Sequence, residues 1–124
     1  MPIVHVEIVV QPGETLPARL AARLADALGA YWASPPQGTW VKVTLLDARL
    51  YAENGGGPLP GVAPVFVTTL KAHRPVQEQL RAEVSAVAQI VAGCCERPVE
   101  HVHVLVLPPG AGRIAFGGEL MPEV

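Results

Sequence analysis

The chain carries little charge and few rings. Charged residues fill 16% of its 124 positions and aromatic residues 5%, and nine Lys and Arg against eleven Asp and Glu leave a formal charge of −2. A nucleic-acid footprint wants a basic face and stacking rings, so this composition excludes one. No apolar run approaches the roughly 20 residues that a membrane helix needs. The opening Met1-Pro2 reaches Glu7 early and lacks the layout of a signal peptide. We therefore expect a cytoplasmic protein with no membrane partner. Cysteine is nearly absent too. Cys94 and Cys95 are neighbours, a placement that rules out a disulfide framework. They close the run Ile90-Val91-Ala92-Gly93 and read as small buried hydrophobes at a helix end.

Apolar residues are abundant, at 50% with a mean hydropathy of +0.33. The length suits one domain, 1–124. A domain this small cannot hide so much apolar surface alone, so an oligomer is expected.

Val4, Val6, Ile8 and Val10 alternate with His5 and Glu7, which is strand periodicity. After the turn Gln11-Pro12-Gly13, Thr15 is placed to cap a helix with Leu16 and Pro17 in its first turn. Leu16, Leu20, Leu24 and Leu28 form its apolar stripe, and Ser34-Pro35-Pro36 ends it. A second strand is expected over 39–46. The pattern then repeats. Residues 64–70 are strand-like, Val76, Leu80, Val84, Val87, Val91 and Cys94 make a helical stripe, and 99–107 read as a strand. His101 and His103 then share one face of that strand, but no third ligand stands at a metal-binding spacing, so no metal or other cofactor is expected.

The offsets are nearly constant. Pro2 and Pro64 are 62 residues apart, as are Pro36 and Pro98, and Gly55-Gly56 and Gly117-Gly118; Val41-Lys42-Val43 precedes Val102-His103-Val104 by 61. The chain reads as a tandem duplication of one β-α-β unit, with pseudo-repeats 2–57 and 64–120. Two such units can share one four-stranded sheet with both helices on one face, leaving the other face for a partner subunit. The fold class is α/β, in the wider sense α+β.

These residues resemble the tautomerase superfamily. The match is carried by Met1-Pro2-Ile3-Val4, the β-α-β repeat, the phrase Pro98-Val99-Glu100-His101-Val102-His103-Val104 and the tail Phe116-Gly117-Gly118-Glu119-Leu120. It covers the whole chain as two fused copies, similar to cis-3-chloroacrylic acid dehalogenase and malonate semialdehyde decarboxylase. The resemblance implies a mixed sheet, a homotrimer and catalysis by an amino-terminal proline. Once Met1 is removed, Pro2 has a free secondary amine. An α-amino group titrates near about 7.7–8.0, and burial or a nearby cation favours its neutral, basic form.

The resemblance also implies an arginine at the end of a unit's first strand to bind a substrate carboxylate. Pro12 holds that position in the first half and Arg74 in the second. The fused dehalogenase carries two arginines three residues apart there, matched here by Lys71 and Arg74. A second superfamily arginine corresponds to Lys42 and, in the second half, to His103. The tail aromatic corresponds to Ile114, with Phe116 two residues on. Where the decarboxylase has an aspartate, this chain has Gly38 and Thr39. Tyr51, Glu53 and Asn54 form a polar cluster suited to donating a proton or activating water.

The implied activity is keto-enol tautomerisation, an isomerase reaction, of a small enol or α-keto carboxylate. Pro2 would be the general base, and Arg74, Lys71, Lys42, His103 and Phe116 would bind the substrate. The alternatives are hydration-type dehalogenation of a small halo-acid and a non-catalytic oligomeric binding protein on the same fold.

Overall fold

The computed structural model describes residues 2–123. Met1, and with it the expected removal of that residue, lies outside the described residues. Strand β1 (Ile3–Val10) is followed by helix α1 (Leu20–Tyr31) and strand β2 (Trp40–Asp47). The second unit has β3 (Val65–Leu70), α2 (Gln77–Cys95) and β4 (Val102–Val106). A short hairpin of β5 (Ala115–Phe116) and β6 (Glu119–Leu120) closes the chain. The four long strands form one sheet in the order β2-β1-β3-β4. Strands β1 and β2 are parallel, as are β3 and β4, while β1 and β3 meet antiparallel at the centre. The expected mixed sheet is therefore present, and the fold is α+β.

Alternation along the strands decides which side is covered. Val4, Val6 and Ile8 of β1 and Val65, Val67 and Thr69 of β3 are buried, and they pack with Leu20, Leu24, Leu28, Val87 and Val91. Both helices thus lie on one face. The opposite face carries Ile3, His5 and Glu7, flanked in register by Trp40, Lys42 and Thr44 on β2 and by Leu70, Thr68 and Phe66 on β3. Trp40 and Leu105 on this open face are 42% and 62% exposed. No helix among the described residues is long and apolar enough to cross a membrane.

The strand register refines the repeat. Val4 pairs with Val41 and Val65 with Val102, so a shift of 61 carries one pair onto the other. Pro2 and Pro64, matched in the sequence by 62, therefore differ by one pleat. A one-residue slip turns a side chain to the other face of a strand. The two tails are alike in backbone. Gly55 and Gly56 have φ of 84° and 92°, and Gly117 and Gly118 have 60° and 89°. Two successive positive φ values are what a type I′ hairpin turn requires, and glycine takes them without strain.

Three expected boundaries differ. Helix α1 begins at Leu20, not near Thr15, after Arg19 in a left-handed conformation with no side-chain cap. The preceding segment is tied down from elsewhere: Glu14 pairs with Arg97 at 2.7 Å, and Arg97 also donates to the carbonyls of Val9 and Ala63. His101 is not on a strand. Residues Val99–His101 form a 3-10 turn closed by His101 N donating to the Pro98 carbonyl at 3.0 Å, so His101 and His103 do not share a strand face. Along α2 the buried residues are Glu83, Val87, Val91, Ala92 and Cys95, so Glu83 takes the inward position expected of Val84, and Cys95 is buried while Cys94 is only half-buried.

Candidate functional site

A cavity of about 350 Å³ opens at the start of β1, lined by Pro2, Trp32, Ala33, Ser34, Pro35, Gly38 and Lys71. Its walls follow from the topology. Ile3 pairs with Leu70 across the antiparallel centre, so the start of β1 and the end of β3 coincide. Pro2, just before β1, and Lys71, just after β3, are thereby placed at the same end of the sheet. The end of α1 supplies Trp32. The loop to β2 supplies Pro35 and Gly38, whose approach is too close for any side chain: a Cβ on Gly38 would lie 2.8 Å from the Pro35 carbonyl oxygen.

The cavity's cation is held firmly. Lys71 Nζ donates to Glu83 Oε1 at 2.8 Å, and the indole Nε1 of Trp32 donates to the same oxygen at 2.9 Å. Nζ also stands 5.4 Å from the centroid of the Trp32 ring, within cation–π range. A larger neighbouring cavity of about 450 Å³ shares Ala33, Ser34, Pro35 and Gly38, but its charged lining residue is Asp26 and it contains no cation. Of these two cavities, the smaller is the one lined by a cation.

The other expected site residues are dispersed. Arg74 is exposed and does not line the Pro2 cavity. Lys42 is exposed on the open sheet face, in register with His5, which bonds Thr44 at 2.8 Å. Phe116 comes closer: its ring meets Trp40 edge-on at 5.5 Å, and Trp40 N donates to the Pro2 carbonyl at 3.0 Å. At the far end of the open face, Tyr51 and His103 flank Phe66 at 5.8 and 5.7 Å. Tyr51 OH donates to Glu53 Oε2 at 2.6 Å, and that bond, with some desolvation, holds the phenol above its ordinary pKa. Asn54 is exposed in the adjoining turn. From Phe66 to Lys71 is five residues of strand, about 16 Å, so one chain does not bring this cluster to the Pro2 cavity.

Trp32, Trp40 and Glu83 stand at or beside the cavity without belonging to any motif of the sequence. Glu83 left one signal, its spacing of four residues before Val87 and eight before Val91. Among the described residues no group of His, Cys, Asp and Glu is arranged to hold a metal ion.

No protein-family model and no curated protein matches the chain. Solved structures do. The chain is similar to Pt0534, solved as inactivated by 2-oxo-3-pentynoate, with a TM-score of 0.73 at 18% identity over 96% of this chain and 94% of that one. It is similar to a native fused 4-OT, with a TM-score of 0.66 at 26% identity over 94% of each chain. A fused 4-OT solved as an asymmetric trimer gives 0.73 at 16% identity over 95% and 94%. These structural neighbours are tautomerase-superfamily proteins, and this chain has their fold.

Proposed function

We propose that the chain is a keto-enol tautomerase acting on a small enol or α-keto carboxylate. The observation that supports this reading is the convergence of Pro2 and Lys71 on one cavity. With Met1 removed, the Pro2 nitrogen is a secondary amine. Burial favours its neutral form. The neutral amine takes a proton from the enol oxygen and returns it to the substrate carbon, so the reaction is a net isomerisation. Lys71 binds the carboxylate through a charge-assisted hydrogen bond. Arg74, three residues further along, adds positive charge to this end of the sheet, and the Trp32 indole covers the apolar part of the substrate.

The protein is a homotrimer in this reading. The open sheet face leaves Trp40 and Leu105 in solvent, and fused 4-OT neighbours are trimers. A monomeric mass by light scattering at micromolar concentration overturns that part. Hydration-type dehalogenation of a small halo-acid is the second reading. It draws on the Tyr51–Glu53 pair, which reaches a Pro2 cavity only across a subunit contact.

The test is the tautomerase rate toward phenylenolpyruvate before and after N-terminal acylation, with peptide mass spectrometry checking that Pro2 is modified and Lys71 is not. Abolished activity supports Pro2 as the base. An undiminished rate in fully acylated protein removes the proline mechanism. A retained Met1 with no activity supports the non-catalytic alternative, because the Pro2 nitrogen is then an amide.

A further inference from the structure

We propose that Glu83 is a positioning residue for Lys71, fixing the ammonium at the wall of the Pro2 cavity where a substrate carboxylate docks. The proposal deepens the functional reading above and rests on it. Glu83 occupies a helix position that the fold would otherwise fill with an apolar residue. Glu83, Val87 and Val91 are the buried stripe of α2, as Leu20, Leu24 and Leu28 are of α1, with the same four-residue spacing. The first unit closes its stripe with a leucine. The second spends the same place on a carboxylate that is only 7% exposed.

A buried carboxylate is costly unless it is paired and hydrogen-bonded. Here one oxygen accepts from both Lys71 and Trp32. Lysine is otherwise a flexible point charge whose rotamer freedom must be surrendered when it binds. The ion pair and the indole together remove that freedom before substrate arrives, which is preorganisation. The charge is matched as well. One carboxylate against one ammonium leaves the cavity able to offer a hydrogen-bond donor without an unbalanced buried cation.

The test uses Glu83→Gln, Glu83→Leu, Lys71→Met and the double variants Glu83→Gln/Lys71→Met and Glu83→Leu/Lys71→Met. Lys42 and Lys71 are the two lysines of the chain, so acetic anhydride labelling read by peptide mass spectrometry has an internal standard. Lys71 is expected to label more slowly than exposed Lys42 in the wild type, and at least about fivefold faster in both Glu83 variants. With phenylenolpyruvate, Glu83→Gln is expected to raise KM about tenfold with kcat changed by less than about threefold. In the Lys71→Met background the same substitution is expected to add nothing, because a residue acting through Lys71 has no effect without it. Glu83→Leu leaves Lys71 and the Trp32 N–H without their acceptor and is expected to melt below the wild type, whereas Glu83→Leu/Lys71→Met, which replaces the whole pair by apolar side chains, is expected to recover much of that loss.

Unchanged Lys71 labelling in the Glu83 variants overturns the proposal, as does an additive loss in Glu83→Gln/Lys71→Met. A Glu83→Leu protein that labels Lys71 at the wild-type rate, whatever its melting temperature, assigns Glu83 to structure alone. A wild type inert toward phenylenolpyruvate defeats the functional reading instead, and the labelling rates still decide whether Glu83 holds Lys71.

Discussion

The two β-α-β units share a backbone and differ in what they do with it. Each places parallel strands around a helix, each buries the same stripe spacing, and each ends in a double-glycine turn with positive φ. The first unit spends its inward positions on leucines and supplies Pro2 and Trp32 to the cavity. The second supplies Lys71 and the buried carboxylate that grips it. Their tails diverge likewise. The first presents a polar pair, Tyr51 and Glu53, whereas the second lays the Phe116 ring on Trp40. The difference teaches that Pro2 and Lys71 come from opposite units and meet where the antiparallel centre joins the start of one unit to the end of the other unit's first strand.

The comparison is broken most severely in the apolar stripe of α1. Leu24 has no exposed surface, and Leu24→Ala is expected to cost about 2–5 kcal/mol through lost burial and the cavity left behind. Urea unfolding measures it. A loss below about 1 kcal/mol would mean that the stripe collapses around the gap and that α1 is less rigidly packed than its burial implies.

The cationic residues sharpen the comparison next. Lys71→Met removes the charge that lines the cavity, and a charge-assisted bond is worth about 1.5–3 kcal/mol, so kcat/KM is expected to fall about ten- to a hundredfold. Arg74→Ala is expected to fall by less, because its side chain does not line the cavity, and Lys42→Ala by less again. Steady-state kinetics of the three variants give the order. A larger loss for Arg74 than for Lys71 returns the carboxylate anchor to Arg74 and sets Lys71 aside.

Much of this arrangement was legible in the sequence because strands and helices advertise their buried faces by period. Val4, Val6 and Ile8 gave β1 directly, and Leu20, Leu24 and Leu28 gave the core face of α1. What escaped was set by contacts distant in the chain. The segment ahead of α1 is held by Arg97, 83 residues beyond Glu14, a contact that no local pattern encodes. His101 left its strand because Pro98 opens a 3-10 turn, a local event masked by the alternating valines around it. Glu83 was hidden for a different reason. A stripe read only through apolar letters passes over a charged residue at an inward position, and Val84 beside it offered a plausible substitute. Pro2 and Lys71 were each legible as candidates. Their meeting in one cavity depended on the antiparallel pairing of Ile3 with Leu70, a register that neither strand specifies alone.

The smallest effect concerns the tails. Tyr51 donates to Glu53, and ionising the phenol would both break that bond and place a second negative charge beside a carboxylate. Both consequences favour the protonated form, so the Tyr51 pKa lies above its ordinary value of 10.0. The phenol therefore stays a hydrogen-bond donor throughout the neutral range. Glu53→Gln removes the charge and is expected to bring the titration back down toward the ordinary value. The chain has two tyrosines, so a Tyr31→Phe background leaves Tyr51 as the sole phenolate signal in an ultraviolet absorbance titration. No downward movement on Glu53→Gln would mean that the pair is not populated in solution. The polar tail of the first unit would then offer no fixed donor, and the dehalogenase reading, which draws on a Tyr–Glu pair, would lose the residues it needs.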